Sequence, residues 1–265
     1  MIKRARALIA HRKIRPRYIG SKWVKTKALL RSADLRRYVP ETAVLSRTSL
    51  RSLLDRYGMA YVKPDFGTGG RGVMRTEKLR IGARTAYRYQ ILSRSASFGS
   101  FDGLYASVLR SRVKRKYLAQ QGIRMLKYRN RPFDLRVMVQ HNPEGHWETT
   151  GIIGRVAHPS RIVTNFHDRG TPTPVGALLS PHLPDRTARE RQIARLRTLG
   201  LNIARQMGKV FPGVREVGVD VALDRKLHPW VLEVNTRPDP YIFNRLKDKR
   251  MFRRIIACAK ANGRL

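Results

Sequence analysis

Apolar positions along this chain recur with two periods, and the switch between them divides the sequence into helices and strands. Strand-length alternating or continuous apolar blocks occupy 60–92 on either side of a glycine-dense loop, and again 133–141, 147–157, 218–223 and 229–235. Helical spacing predicts Lys22 to Leu30; Ser49 to Tyr57, with Leu50, Leu53 and Leu54 on one side and Thr48 or Ser49 as cap; and Leu104 to Arg115. A fourth helix runs to about Val210, with Thr187 as N-cap, Glu190 three residues on, and Ile193, Leu196, Leu199, Ile203 and Met207 as core face. Pro40-Glu41-Thr42 reads as a turn, and 93–103 and 172–184 as loops. Residues 1–20 form a basic arm in which Pro16 interrupts any helix. The mixture is α+β.

Two of the strand blocks carry oxygen ligands. Gly218–Asp224 and Pro229–Asn235 are joined by a short polar turn and form a hairpin. Glu233 and Asn235 are two apart, so they project from one face, and Asp220 can lie across from them. Two carboxylates and a carboxamide make a hard-oxygen set suited to Mg²⁺ that also binds substrate phosphates. Spacing alone equally allows Asp220 to pair with Arg215, and Asn235 to cap the turn before Pro238.

A phosphate-binding element lies upstream. Tyr61-Val62-Lys63-Pro64 ends in a cation and meets Gly67, Thr68, Gly69, Gly70 and Gly72. Glycine lets backbone N–H groups approach an anion closely. The loop is neither a P-loop nor a dinucleotide fingerprint, since no Gly-Lys-Ser/Thr closes it and no helical run follows. Alone it would read as a flexible hairpin; beside Lys63 and the downstream ligands it reads as a nucleotide site.

The order Lys-Pro, glycine loop, Gln120-Gln121-Gly122-Ile123, Phe133-Asp134-Leu135-Arg136, Gly154-Arg155-Val156, Thr164-Asn165, Asp220…Glu233-x-Asn235 resembles the ATP-grasp superfamily. Within it, "RPFDLRVMVQ", "GRVAHPSRIVTN" and "WVLEVNTRPD" look most like the YheC/YheD-type endospore coat-associated proteins, and the likeness runs from about Lys22 to the end. The resemblance implies an ATP-grasp fold in which two α+β subdomains, about 60–120 and 121–265, clamp ATP, without the small α/β domain that precedes many such ligases. It implies phosphate contacts from Lys22 and Lys63, a hinge at Gln120, Gln121 and Ile123 that reads adenine, and charge neutralisation by Arg136 and Arg155. It also implies Mg²⁺, or Mn²⁺ in its place, on Asp220, Glu233 and Asn235. Gln121 lies where relatives often carry a glutamate near the ribose. The implied reaction is ATP-dependent carboxylate activation through an acyl-phosphate, with an amine or thiol as acceptor. From spacing alone, Arg136 could instead pair with Asp134 on its own strand face, and Lys25 or Lys27 could replace Lys22.

Charge adds a second theme. There are 56 Lys and Arg against 18 Asp and Glu, a net charge of +38, and no acid precedes Asp34. Such an excess favours a polyanionic or acidic partner. It also supports a rival reading, a non-catalytic polyanion-binding or spore-coat structural protein on the same fold. A nucleic-acid role rests on charge alone, because no zinc spacing, RNP aromatics or basic zipper is present. The single cysteine, Cys258, sits in an apolar run and reads as an inert buried thiol, consistent with a reducing, cytoplasmic compartment. The seven histidines lack ligand spacing. No segment has the length of a signal peptide's apolar core or of a membrane span.

Overall fold

The computed structural model describes residues 17–157 and 171–265. Most of the basic arm, Thr164-Asn165 and the segment up to Gly170 lie outside the described residues. Helices α1 (Lys22–Leu30) and α2 (Ala33–Arg36) lead into β1 (Thr42–Val44), α3 (Arg47–Tyr57), β2 (Met59–Pro64), β3 (Met74–Ile81), β4 (Arg84–Ile91), β5 (Arg94–Phe98), α4 (Phe101–Ser111) and β6 (Tyr117–Gln121). There follow β7 (Lys127–Tyr128), β8 (Arg131–His141), β9 (Trp147–Val156), β10 (Thr171–Thr173), α5 (Val175–Leu179), α6 (Arg186–Val210), β11 (Glu216–Leu223), β12 (Pro229–Asn235), a 3-10 turn at Tyr241–Arg245, and α7 (Arg250–Ala261).

The strands form two antiparallel sheets. The first runs β1-β6-β2-β3-β4-β5, and the second β10-β9-β8-β11-β12, with β7 paired to β8. Leu50, Leu53 and Leu54 of α3, with Leu104 and Val108 of α4, pack on Val62, Met74 and Tyr117 of the first sheet. In the second sheet the alternation of β8 sorts two faces. Phe133, Leu135, Val137 and Val139 join Leu196, Leu199, Ile203 and Met207 of α6 in one core. On the opposite face Met138 meets Phe243 and Ile255 beneath α7. Asp134 and Arg136 share the parity of Met138, so they emerge from that face beyond the helix. Ala28 and Leu29 of α1 belong to the α6 core, tying the chain's beginning to the second sheet.

Several boundaries differ from the sequence reading, each for a local reason. The cap of α3 is Ser46, one turn earlier than Ser49: its Oγ accepts from Ser49 N, and Ser49 Oγ in return accepts from Ser46 N. Asp185 rather than Thr187 caps α6, its carboxylate accepting from Thr187 N and Ala188 N. A carboxylate at that position also favours the helix dipole, and such a cap contributes about 1 kcal/mol. Residues 93–103 are not a loop. Ser95, Ala96 and Ser97 form β5 by pairing with β4 across a two-residue turn, and Ser100 caps α4 early. That helix ends at Ser111 rather than Arg115, where successive cations lack the acidic neighbours that would hold another turn. Thr42 lies in β1 rather than a turn, and the proline-rich 172–184 segment contains most of β10 and all of α5. Cys258 is fully buried. Among the described residues no helix is long and apolar enough to cross a membrane.

Candidate nucleotide site

The two sheets enclose a cavity of about 410 Å³. Of the residues singled out from sequence, Lys22, Lys63, Gly67, Thr68, Gly69, Gly70, Gln120, Gln121, Ile123, Arg136, Arg155, Asp220, Glu233 and Asn235 line it. Gly72 does not. A Cβ there would stand 2.9 Å from Tyr117 Oη, and its φ of 76° suits glycine, so Gly72 lets the loop pack on β6 rather than contact a ligand.

Lys63 is the last residue but one of β2 and is buried. Its Nζ donates to Gln120 Oε1 at 2.8 Å and to the Leu232 carbonyl at 3.0 Å. That carbonyl comes from a bulge: Asp220 pairs with Glu233 but Val221 with Val231, leaving Leu232 as the extra residue. Burial lowers the Lys63 ammonium to about 8, with Lys22 and Lys25 adding to the effect and Glu233 opposing it. Gln120 is oriented by donating Nε2 to Thr42 Oγ1 at 3.0 Å. Gln121 Oε1 accepts from Glu41 N at 3.2 Å.

Lys22 is placed by a residue that the sequence reading passed over. Asp65 is buried; its carboxylate accepts from Ser21 Oγ at 2.9 and 3.0 Å and from Trp23 N at 2.8 Å, while its carbonyl accepts from Lys22 N. The start of α1 is thereby fastened to the strand that leads into the glycine loop. Lys22 Nζ then reaches the Gly67 carbonyl at 2.7 Å and stands 3.6 Å from Glu233 Oε1. The available signal was an acid directly after Lys-Pro, beside a Ser-Lys helix start.

A buried ion network floors the cavity. In register, Asp220 faces Arg136 and Asp134 faces Arg155. Arg136 Nε donates to Asp220 Oδ1 at 2.5 Å and Nη2 to Oδ2 at 3.2 Å. Arg155 donates Nε and Nη2 to Asp134 at 2.8 and 2.5 Å, and Nη2 also lies 3.0 Å from Asp220 Oδ1. Arg136 therefore pairs across strands with Asp220, not with Asp134 on its own strand. Arg215 approaches His141 Nδ1 at 3.3 Å instead of pairing with Asp220. Burial would push the Asp220 carboxyl up, but Arg136 and Arg155 outweigh it and hold it below the ordinary range. Burial opposes the charge on Arg155 as well, and Asp134 and Asp220 reverse this, raising its pKa. Gly218 makes room for Arg136, since a Cβ would sit 3.1 Å from Arg136 Cδ and 2.6 Å from Pro238 Cβ.

Glu233 and Asn235 are half-buried and line the cavity from β12. Their oxygens, with one lone pair of Asp220 left over from its guanidinium bonds, are hard donors that fit a Mg²⁺-type ion. Among the described residues no three His, Cys, Asp or Glu converge to hold a metal unaided. Phosphate oxygens and water would have to complete an octahedron there. Ile123, Met125, Leu232 and Ile242 add apolar lining against which a flat base could rest, and Arg71 of the glycine loop and Arg237 and Asp239 of the WVLEVNTRPD stretch line the cavity too, although the sequence reading gave them no role.

Comparison with known proteins shows the family to which the chain belongs. The YheD endospore coat-associated protein of Bacillus subtilis (strain 168) is 22% identical over 227 residues, 84% of this chain and 49% of its own length. The YheC protein of the same organism is 22% identical over 228 residues, 84% and 61% respectively. The chain thus spans less than two thirds of either relative. Among solved structures, N5-carboxyaminoimidazole ribonucleotide synthetase from Thermotoga maritima aligns with a TM-score of 0.47 and 15% identity, over 91% of this chain and 48% of that one. The family model for YheC/D-like ATP-grasp proteins matches residues 11–260, a span that takes in every element lining the cavity, and the chain belongs to that family.

Proposed function

We propose that the cavity binds ATP with a divalent cation and activates a carboxylate. The observation that carries this reading is the convergence of Lys22, Lys63 and Arg136 with Glu233 and Asn235 around one partly apolar cavity. Lys63 and Lys22 hold phosphate oxygens, and the backbone of Gly67–Gly70 closes over them. The adenine rests against the apolar lining beside Gln121 and Ile123. Glu233 and Asn235 hold Mg²⁺ or Mn²⁺, which when bound neutralises charge on the phosphates. Arg136 faces the transferred phosphoryl group, and Arg155 supports it through Asp220. A carboxylate oxygen attacks the γ-phosphorus as the bond to the β,γ-bridging oxygen breaks, giving ADP and an acyl-phosphate. An amine or thiol then attacks the acyl carbon and loses its proton, and inorganic phosphate leaves. Catalysis lies mainly in alignment and charge neutralisation.

The two curated relatives are named as endospore coat-associated, and we extend that association to this chain as part of the proposal. The net charge of +38 supports an acidic or polyanionic partner. It also favours a second reading, a coat-structural or polyanion-binding protein that retains nucleotide without turnover. The test is ADP release from Mg²⁺·ATP across a panel of carboxylates with amines or thiols. Carboxylate-dependent ADP formation supports the ligase; tight nucleotide binding with no turnover on any combination favours the structural reading.

A further inference from the structure

Only a minority of the cations can be locally balanced, since 56 Lys and Arg face 18 Asp and Glu. Arg186 pairs with Glu190 and Arg191 with Asp185 on α6, while Arg250 pairs with Asp248 and Arg254 with Glu148 on α7. One run differs. Between the last turn of α4 and the start of β6, residues 110–116 are all exposed, and five of the seven are cations: Arg110, Arg112, Lys114, Arg115 and Lys116. Among the described residues none of the five has a carboxylate at ion-pair distance.

The run also has a defined place. Lys116 O accepts from Asp65 N at 2.9 Å, and Arg115 Nη1 donates to the Phe66 carbonyl at 3.4 Å, so the run flanks the glycine loop. Lys22 holds the next carbonyl, Gly67, from the cavity side. Arg71, on the same loop, lines the cavity. Cationic surface therefore continues from residues 110–116 over the glycine loop to the nucleotide site.

We propose that residues 110–116 form a docking strip for an acidic polypeptide, which presents a carboxylate to the cavity over the glycine loop. This rests on the carboxylate-activating reading of that cavity, and it names the class of substrate. Charge complementarity fits a carboxylate-rich chain, since uncompensated exposed cations steer and orient such a partner. Sequence-tolerant nucleic-acid readers add aromatic platforms to their cations. The run itself carries none; Phe66 and Tyr18, both more than half exposed, meet at Gly20 beside the loop, and binding of a single-stranded oligonucleotide tests whether they serve as such a platform.

The test compares two variants of equal charge loss: Arg110→Ser/Arg112→Ser/Lys114→Ser on the strip, and Arg195→Ser/Arg205→Ser/Lys209→Ser on the exposed side of α6. Neither touches the nucleotide-binding residues, and Arg115 keeps its bond to the loop. Binding of fluorescent poly-L-glutamate, of a single-stranded oligonucleotide of matched charge, and of Mg²⁺·ATP is measured for each. The strip variant should lose poly-L-glutamate affinity by about tenfold or more and the α6 variant by under about threefold, with ATP binding unchanged in both. Equal losses in the two variants, no binding by the parent, or tighter binding of the oligonucleotide would each overturn the strip. Failure of the parent to bind Mg²⁺·ATP while the strip still captures poly-L-glutamate would sink the carboxylate-activating reading and leave the docking surface standing.

Discussion

Asp220 and Glu233 are direct partners across β11 and β12, yet the two carboxylates are held in opposite ways. Asp220 is buried and takes guanidinium N–H groups on both oxygens, whereas Glu233 is half-buried and stands 3.6 Å from Lys22 Nζ. From spacing alone the two would be equivalent metal ligands; their surroundings separate them.

Their neutral variants should therefore behave differently. Glu233→Gln keeps the fold, with the melting temperature nearly unchanged, while Mg²⁺-dependent ATP affinity falls by about 10–100-fold. Asp220→Asn leaves Arg136 without its counter-charge and Arg155 with Asp134 alone in a buried setting, where breaking a pair costs about 3–5 kcal/mol. Thermal unfolding and Mg²⁺ titration of both proteins decide the matter. A Glu233→Gln protein that unfolds as readily as Asp220→Asn would make Glu233 a structural residue.

Lys63 predicts a pH dependence. Its pKa is about 8 in the unliganded protein and 10.5 ordinarily, so the native state binds fewer protons than the unfolded chain between those values. Stability of the unliganded protein should consequently rise as pH increases from about 8 towards 10.5, by at most about 1.4 kcal/mol per pH unit. ATP needs the ammonium form, so its affinity should decline over the same interval. Lys63→Met should flatten both profiles and lower affinity at neutral pH. A parent protein whose ATP affinity stays constant from pH 7 to about 9.5 would remove Lys63 from the phosphates.

Asp65 should act on nucleotide through Lys22. Asp65→Ala removes the acceptor of Ser21 Oγ and Trp23 N, bonds to a charged group worth about 1.5–3 kcal/mol each. The melting temperature should fall and ATP affinity should drop about as far as in Lys22→Ala. The double variant should bind ATP no worse than the weaker single one, since both changes displace the same ammonium. Additive losses of affinity would mean that Asp65 contributes to the site independently of Lys22.

The cavity was legible in the sequence because its parts are short local patterns. Glu233-x-Asn235 fixes two donors on one strand face, and Lys63-Pro64 before the glycines marks the end of a strand. Residues whose role depends on pairing across the sheet were not legible. That Arg136 meets Asp220 and Arg155 meets Asp134 follows from the β8–β11 and β8–β9 registers, which no single segment encodes. Asp65 was missed because its partners lie over forty residues upstream. β5 was missed because Arg94-Ser95-Ala96-Ser97-Phe98 lacks the apolar alternation of a half-buried strand, and its pairing with β4 supplies the order instead.

The two arginines of the floor should prove unequal. Arg155 is 3% exposed and commits Nε and Nη2 to Asp134 and Asp220, three interactions with two buried carboxylates. Arg136 spends two N–H groups on Asp220 alone, and five are available on a guanidinium. The spare donors of Arg136 can meet an incoming phosphoryl oxygen, while Arg155 acts chiefly by fixing Asp220. Arg136→Lys keeps a charge beside Asp220 but loses the planar fork. It should leave the melting temperature within a few degrees of the parent and cost about 10²–10³-fold in carboxylate-dependent ADP formation. Arg155→Lys loses the two-pronged grip on Asp134 and should destabilise the protein by about 3 kcal/mol or more. Below its lowered melting point it should retain nucleotide affinity close to that of the parent. Calorimetric unfolding and nucleotide titration, run on both variants, check the split. The reverse pattern, with Arg136→Lys unfolding and Arg155→Lys folded but inactive, would exchange the two roles.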